Sequence, residues 1–234
     1  MRRPSRRLGR LARDAGLLAL VGVVCFAAAG ARAAPAPTLF GLSVAGTAHQ
    51  EWDHTSAPTM SAECKRSLRS EGFRSVRFRS KKQTVVRVVD GRVLPAEVRS
   101  LGGTVTVTGA NTIDEICGEL ETHMIQDCVK SRRSFAAARV SLLGTRPGSI
   151  TLRPVRNVRL RAINCPREPG DVVRAPLGPI PGPLRISTSA LSRSRIARIT
   201  LTASGSRTKT YAPPETGTFE QRAAWTLTFV RLQP

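Results

Sequence analysis

Apolar and polar residues alternate along most of this chain, and this period of two constrains the fold more than any other feature of the sequence. Phe40, Leu42 and Val44 fall on one side of the first such stretch, while the residues between them fall on the other. Similar stretches lie at residues 75–79, 85–89, 105–108, 138–142, 158–162, 184–188, 197–203 and 225–229. Alternation predicts half-buried β-strands, because successive side chains of a strand point to opposite faces.

About ten short strands predict an all-β fold, an antiparallel β-sandwich with either an immunoglobulin-like or a jelly-roll-like topology. Asp90-Gly91 and Gly102-Gly103 are typical of turns between strands. Residues 166–183 contain six prolines and three glycines, which predicts a loop without regular structure that crosses between the two sheets.

One stretch departs from strand spacing and predicts a short helix within residues 112–125. Ile113, Ile116, Leu120 and Met124 fall on one helical face, and Thr112 with Glu115 could form a capping box. The stretch also holds most of an acidic island in an otherwise basic chain: Asp114, Glu115, Glu119, Glu121 and Asp127. The spacing of these carboxylates is not that of a calcium loop, so a solvated or ion-paired face is expected.

The N-terminus has the pattern of a secretory signal peptide covering residues 1–33. Six arginines precede the apolar run Leu17–Gly30, and Ala31-Arg32-Ala33 resembles a cleavage site. The run is shorter than the ~20 residues that a membrane-spanning helix needs. Ser5-Arg6-Arg7 admits a twin-arginine signal, but Gly9 and Arg10 occupy positions where that signal has hydrophobic residues. We therefore expect export by the general secretory route.

Cleavage after residue 33 would leave residues 34–234 as a single sandwich domain, secreted or associated with the cell envelope. The whole chain has 37 Lys and Arg residues and 16 Asp and Glu residues, of which seven Arg and one Asp lie in residues 1–33. Residues 34–234 therefore contain 30 basic and 15 acidic residues. A formal charge of this size favours anionic partners. No second apolar span follows, so the mature chain is expected to have no integral membrane span.

Four cysteines remain after the predicted cleavage, an even number in a chain expected to reach an oxidising compartment. The short gap between Cys117 and Cys128 makes that loop the least costly to close, which leaves Cys64 with Cys165. We therefore predict disulfides Cys117–Cys128 and Cys64–Cys165. A zinc site is the alternative, although the sequence has no C-x-x-C pair.

The strongest candidate for a chemical site is His49, Glu51 and Asp53, which share one face of the first strand. An imidazole with carboxylates could hold a metal ion or provide an acid and a base. The same residues are also what the polar side of an amphipathic strand would contain. The sequence identifies no catalytic set and predicts no cofactor.

Several arginines occupy the outward phase of their strands and predict an anion-binding sheet face, because guanidinium groups pair well with carboxylates and phosphates. They are Arg77, Arg79, Arg87, Arg159, Arg161 and Arg198. The mature chain would have nine aromatic residues, mostly in the buried phase. We therefore expect no specific nucleic-acid binding, since single strands need aromatic stacking platforms.

These features favour a non-enzymatic envelope or extracellular binding module for anionic cell-surface polymers. The alternatives are a β-sandwich hydrolase acting on glycans or esters through the His49 strand, and a structural or adhesion module with no small ligand.

Overall fold

Strands make up most of the computed structural model, which describes residues 36–232 except residues 62, 157–169, 171–176 and 194. The first six strands are β1 (Thr38–Thr55), β2 (Thr59–Ser61), β3 (Cys64–Ser80), β4 (Thr84–Val89), β5 (Arg92–Val93) and β6 (Ala96–Cys117). The remaining elements are β7 (Leu120–Arg146), β8 (Ser149–Arg156), β9 (Leu184–Arg185), α1 (Thr188–Ser192), β10 (Arg198–Thr210) and β11 (Thr216–Arg231). The predicted signal peptide and the predicted strand at 158–162 lie outside the described residues.

The eleven strands of the described residues form one antiparallel sheet, in the order β10-β11-β1-β3-β6-β7-β8-β9. Strand β2 pairs with β3, and β4 pairs with β1 and β5. The predicted all-β antiparallel class is therefore confirmed. Strand β1 lies between β11, at the other end of the sequence, and β3.

The sheet folds over its own inner face and encloses a single hydrophobic core. The hairpin of β4 and β5 lies against the hairpin of β7 and β8, where the Arg92 Nε donates to the Gly144 carbonyl at 2.9 Å. Trp225 is buried in this core, with its ring 4.6 Å from the Phe78 ring, and its Nε1 donates to the Pro179 carbonyl at 3.2 Å. The predicted sandwich is thus built largely from one folded sheet, and Leu177, in the described end of the Pro-rich segment, is buried in its core.

The helix predicted within residues 112–125 is wrong: this stretch is the hairpin between β6 and β7. Cys117 pairs with Leu120 across a two-residue turn, and Gly118 has a φ of 60°. A glycine with positive φ at the first turn position is what a tight type II′ hairpin requires. The β6 residues of this stretch also pair with β3 on their other side, and this strand pairing outweighs the helical spacing of the apolar residues. A short helix does occur as α1, where Leu191 is buried.

Two predictions about turns have opposite outcomes. Asp90 and Gly91 both have positive φ and connect β4 to β5, so this turn is confirmed. Gly102 and Gly103 instead lie inside β6, at a shift in its register with β7. A Cβ on Gly103 would collide with the Arg77 carbonyl oxygen, so the close approach of β3 to β6 explains this glycine.

The predicted disulfide pairing is also wrong, because Cys64 is bonded to Cys117. The two residues are direct partners in the register of β3 and β6, and their Cα atoms are 4.1 Å apart. Neither Cys117–Cys128 nor Cys64–Cys165 can form in the same molecule. The backbone of Cys128 pairs with Gly109, and Cys165 lies outside the described residues.

Within the described part of the chain, no helix is both long and apolar enough to cross a membrane.

Candidate anion-binding face

The outer face of the sheet is the solvent-exposed side of β10, β11, β1, β3, β6 and β7. Residues directly opposite each other on neighbouring antiparallel strands point to the same side, so the register gives the arrangement of this face. One transverse row, called here the central row, runs through Ser206, Arg222, His49, Ser75, Thr106 and Arg132. The adjacent upper row runs through Ser204, Ala224, Thr47, Arg77, Thr104 and Ser134.

The first hollow on the outer face has a volume of about 710 Å³ and spans β10, β11, β1 and β3. Its outward side chains are Thr47, His49, Ser75, Arg77, Ser204, Ser206, Arg222 and Ala224. Guanidinium groups from two strands therefore border a surface rich in hydroxyl groups. Such a surface can pair with an anion and donate hydrogen bonds to its neutral neighbours.

A second hollow of about 610 Å³ continues the first across β3, β6 and β7. It is lined by Phe73, Ser75, Arg77, Thr104, Thr106, Thr108 and Arg132. Ser75 and Arg77 line both hollows, so the two are contiguous. The ring of Phe73 is 44% exposed and provides an apolar surface at the edge of the second hollow.

The cations of these hollows differ in how far they are already neutralised. Within the described part of the chain, no carboxylate lies at ion-pair distance from Arg77 or Arg132. The Arg222 Nη2 is 3.3 Å from Glu220 Oε2, and both side chains are largely exposed. Exposed pairs of this kind are worth little, so Arg222 remains able to bind another anion.

Acidic side chains lie on the other side of the central row. An acidic hollow of about 540 Å³ includes Glu51, Asp53, Glu71 and Asp127 among its lining residues. Arg69 donates to both carboxylate oxygens of Asp53, at 3.0 and 2.9 Å, and lies 3.3 Å from Glu71. The hydrogen bond from Arg69 lowers the pKa of Asp53 despite some desolvation. The outer face is therefore polarised, with guanidinium groups around the hollows on one side of Glu51 and a group of carboxylates with Arg69 on the other.

The structure separates the predicted site of His49, Glu51 and Asp53. All three are on the outer face, but His49 lines the first hollow, whereas Glu51 and Asp53 line the acidic hollow. At ~3.4 Å per residue, His49 and Asp53 are about 14 Å apart along the strand, too far to share a metal ion or a proton. The His49 Nδ1 instead lies 3.4 Å from the Ser75 hydroxyl.

Only one group of potential metal ligands is close together among the described residues, and it is not a plausible site. It consists of Cys64, Glu115 and Cys117. The two sulfur atoms are joined in a disulfide, so neither is the thiolate that a metal ion would bind.

The predicted arginines do not all lie together. Arg77 and Arg79 are two residues apart on the outer face of β3, and Arg77 lines both hollows. Arg198 and Arg87 are exposed on β10 and β4, and their partners Val230 and Leu39 place them beyond the rows of the hollows. Arg159 and Arg161 lie outside the described residues.

Sequence reasoning missed Arg222 and Arg132. Arg222 could have been found, because the phase of Trp225, Leu227 and Phe229 extends back to place it outward. Arg132 lies in a stretch without regular alternation of apolar and polar residues, so its orientation can be known only from its pairing with Thr106.

Fold and face together define a class: an antiparallel all-β protein with an open, polarised sheet face that carries free guanidinium and hydroxyl groups. Comparisons with protein families, with curated proteins and with solved structures found no match for this chain. The functional argument therefore depends on the residues of the face.

Proposed function

We propose that this protein is a non-enzymatic binding module for anionic polymers of the cell surface, acting outside the cytoplasm. The observation that carries the proposal is the convergence of Arg77 and Arg222 on a hydroxyl-lined hollow. An acidic polysaccharide presents both carboxylates and hydroxyls, and this lining offers a partner to each.

Charge distribution supports the same function. The 30 basic and 15 acidic residues expected to remain after cleavage give the exported protein an excess of positive charge, which attracts polyanions over distances beyond direct contact. The carboxylates of the acidic hollow would repel a polyanion from the lower part of the face. A bound polymer would therefore be restricted to the central and upper rows.

A hydrolase acting through the His49 strand has less support. General acid–base catalysis needs groups within hydrogen-bond reach of the same substrate atoms. His49 and the carboxylate of Asp53 lie in different hollows, and Asp53 is held by two hydrogen bonds from Arg69. An adhesion module with no small ligand gives no reason for arginines from two strands to converge on one hollow.

The test is binding of the purified protein to isolated cell walls and to a soluble acidic polysaccharide. We expect retention at about 0.05 M NaCl that declines steadily towards about 0.5 M, since screening shortens the reach of exposed charges. R77Q and R222Q should weaken retention. The matched control is R185Q, because Arg185 is exposed on β9, at the opposite end of the sheet order from β10. Absence of binding at every salt concentration would refute the proposal.

A further inference from the structure

The cationic side chains of the two hollows lie on every second strand. Across the central and upper rows, guanidinium groups come from β11, β3 and β7, as Arg222, Arg77 and Arg132. The strands between them, β1 and β6, contribute hydroxyls from Thr47, Thr104 and Thr106. Strand β10 at the end contributes Ser204 and Ser206. Strand β1 also contributes the imidazole of His49. The arginines of the two rows therefore lie on every second strand, and hydroxyl groups come from the strands between them.

This alternation has a defined spacing. Neighbouring strands lie about 4.8 Å apart, so the backbones that carry these arginines are about 9.6 Å apart across the sheet. Arg77 belongs to the upper row, between Arg222 and Arg132 of the central row, and it lines both hollows. Each hollow thus has one guanidinium of its own and shares the guanidinium of Arg77.

We propose that the face binds an acidic polysaccharide whose charge falls on every second sugar, with the polymer lying across the strands rather than along them. This inference rests on the proposed function and specifies its ligand. A sugar residue in an extended chain is about as long as the spacing between strands, so each strand meets one sugar. Carboxylates on alternate sugars then meet Arg222, Arg77 and Arg132, and the neutral sugars between them meet threonine hydroxyls.

The polarity of the face fixes the direction of the polymer. A chain running along β1 would pass from His49 over Glu51 and Asp53, and would bring its carboxylates against protein carboxylates. A chain running across the strands stays within the central and upper rows. Phe73, exposed beside the second hollow, can pack against the apolar face of a sugar ring.

The test compares two ligands that carry the same charge. A hexasaccharide that alternates a uronic acid with a neutral amino sugar has three carboxylates on alternate sugars, whereas trigalacturonate has three on adjacent sugars. We expect the alternating hexasaccharide to bind about tenfold more tightly by calorimetry, because only its spacing places all three carboxylates on guanidinium groups. Neutral chitohexaose, with the same length and no charge, controls for the hydroxyl contacts.

The arginine variants give a second measurement. R222Q and R132Q should each weaken hexasaccharide binding about threefold, and R77Q about tenfold because Arg77 serves both hollows. R185Q is the control and should bind as the unaltered protein does. Thermal melts should show that all four variants remain folded.

The outcomes separate the two proposals. Tighter binding of the alternating hexasaccharide with the largest loss for R77Q supports the inference. Equal binding of the two triacids, or equal losses for the three arginines, refutes the spacing and leaves the proposed function standing. A folded protein that binds no acidic polymer refutes both.

Discussion

At the residue scale, the contact between Asp53 and Arg69 holds a guanidinium group within the acidic part of the outer face. Arg69 reaches across from β3 with both Nε and Nη2, a fork that matches the two oxygens of a carboxylate. The same guanidinium also lies within ion-pair distance of Glu71. Arg69 is therefore a cation of the outer face that is already ion-paired with carboxylates of the protein itself.

This contact predicts a dependence of stability on acidity. The folded-state pKa of Asp53 is lowered by Arg69, so its contribution is present above the unfolded pKa of about 3.9 and is lost as pH falls through the folded pKa. We expect D53N to reduce the free energy of unfolding by roughly 0.2–1 kcal/mol at pH 6, since both side chains are half exposed.

Urea unfolding of D53N and of the unaltered protein between about pH 6 and pH 2 measures the effect. The two curves should converge at the acid end, where Asp53 is protonated. D127N is the control, because Asp127 lines the same hollow but forms no ion pair among the described residues. A difference that persists unchanged at pH 2 would show that the variant acts through something other than this charge.

At the scale of elements, strand register determines which cysteines meet. Cys64 begins β3 and Cys117 ends β6, so the disulfide joins the ends of two paired strands. The bond spans a sequence separation of 53 residues, for which chain entropy gives a stabilisation of about 4 kcal/mol as an upper value.

We predict that C64S and C117S lower the free energy of unfolding by the same amount, up to about 4 kcal/mol, and that the double variant loses no more than either one. Chemical denaturation with and without reductant measures this loss, and the reductant should no longer change the variants. Peptide mapping under non-reducing conditions should recover the bond between Cys64 and Cys117. A map that joined Cys117 to Cys128 would contradict the register of β3 with β6.

Period-two alternation was enough to predict most strands, because one face of each is buried while the other meets solvent. It failed where both faces are partly exposed: Ile116, Leu120 and Met124 lie in a hairpin whose apolar residues fall on both sides. The predicted disulfide pairing was wrong for a related reason. Loop length favours neighbours in sequence, whereas Cys64 meets Cys117 through the pairing of whole strands, which no local pattern reveals.

At the scale of the whole molecule, the open sheet has a free edge at β10, which pairs only with β11 in the described part of the chain. The inward phase of β10 begins with apolar residues that pack on the core and ends with Arg207 and Lys209. Inward-pointing charges on an edge strand discourage pairing with another molecule, because a second strand would bury them.

Replacing both cations with threonine should therefore promote self-association. We expect the double variant R207T/K209T to form concentration-dependent dimers or larger species in sedimentation velocity under conditions where the unaltered protein remains monodisperse. R185Q again serves as the control for loss of a surface charge. If the double variant sedimented as the unaltered protein does at all concentrations, the charges would have no protective role at this edge.

The candidate site was partly accessible from the sequence, since alternation placed Arg77 and Arg79 outward on their strand. The sequence could not show that Arg77 and Arg222 border the same hollow, because their proximity depends on β1 lying between β3 and β11. Strand order is set by the packing of the whole chain, and two arginines far apart in sequence become neighbours only after that order is formed.

The position of β1 between β11 and β3 also governs when the fold can be completed. Phe40 pairs with Arg231 and Thr55 with Thr216, so this edge of β1 can form its hydrogen bonds only after β11 has been synthesised. Contacts between such distant segments carry a large loop-closure cost and slow folding. During synthesis, β1 remains unpaired along that edge until β11 has emerged. A chain interrupted before Thr216 would therefore expose a long strand edge with which a strand of another molecule could pair.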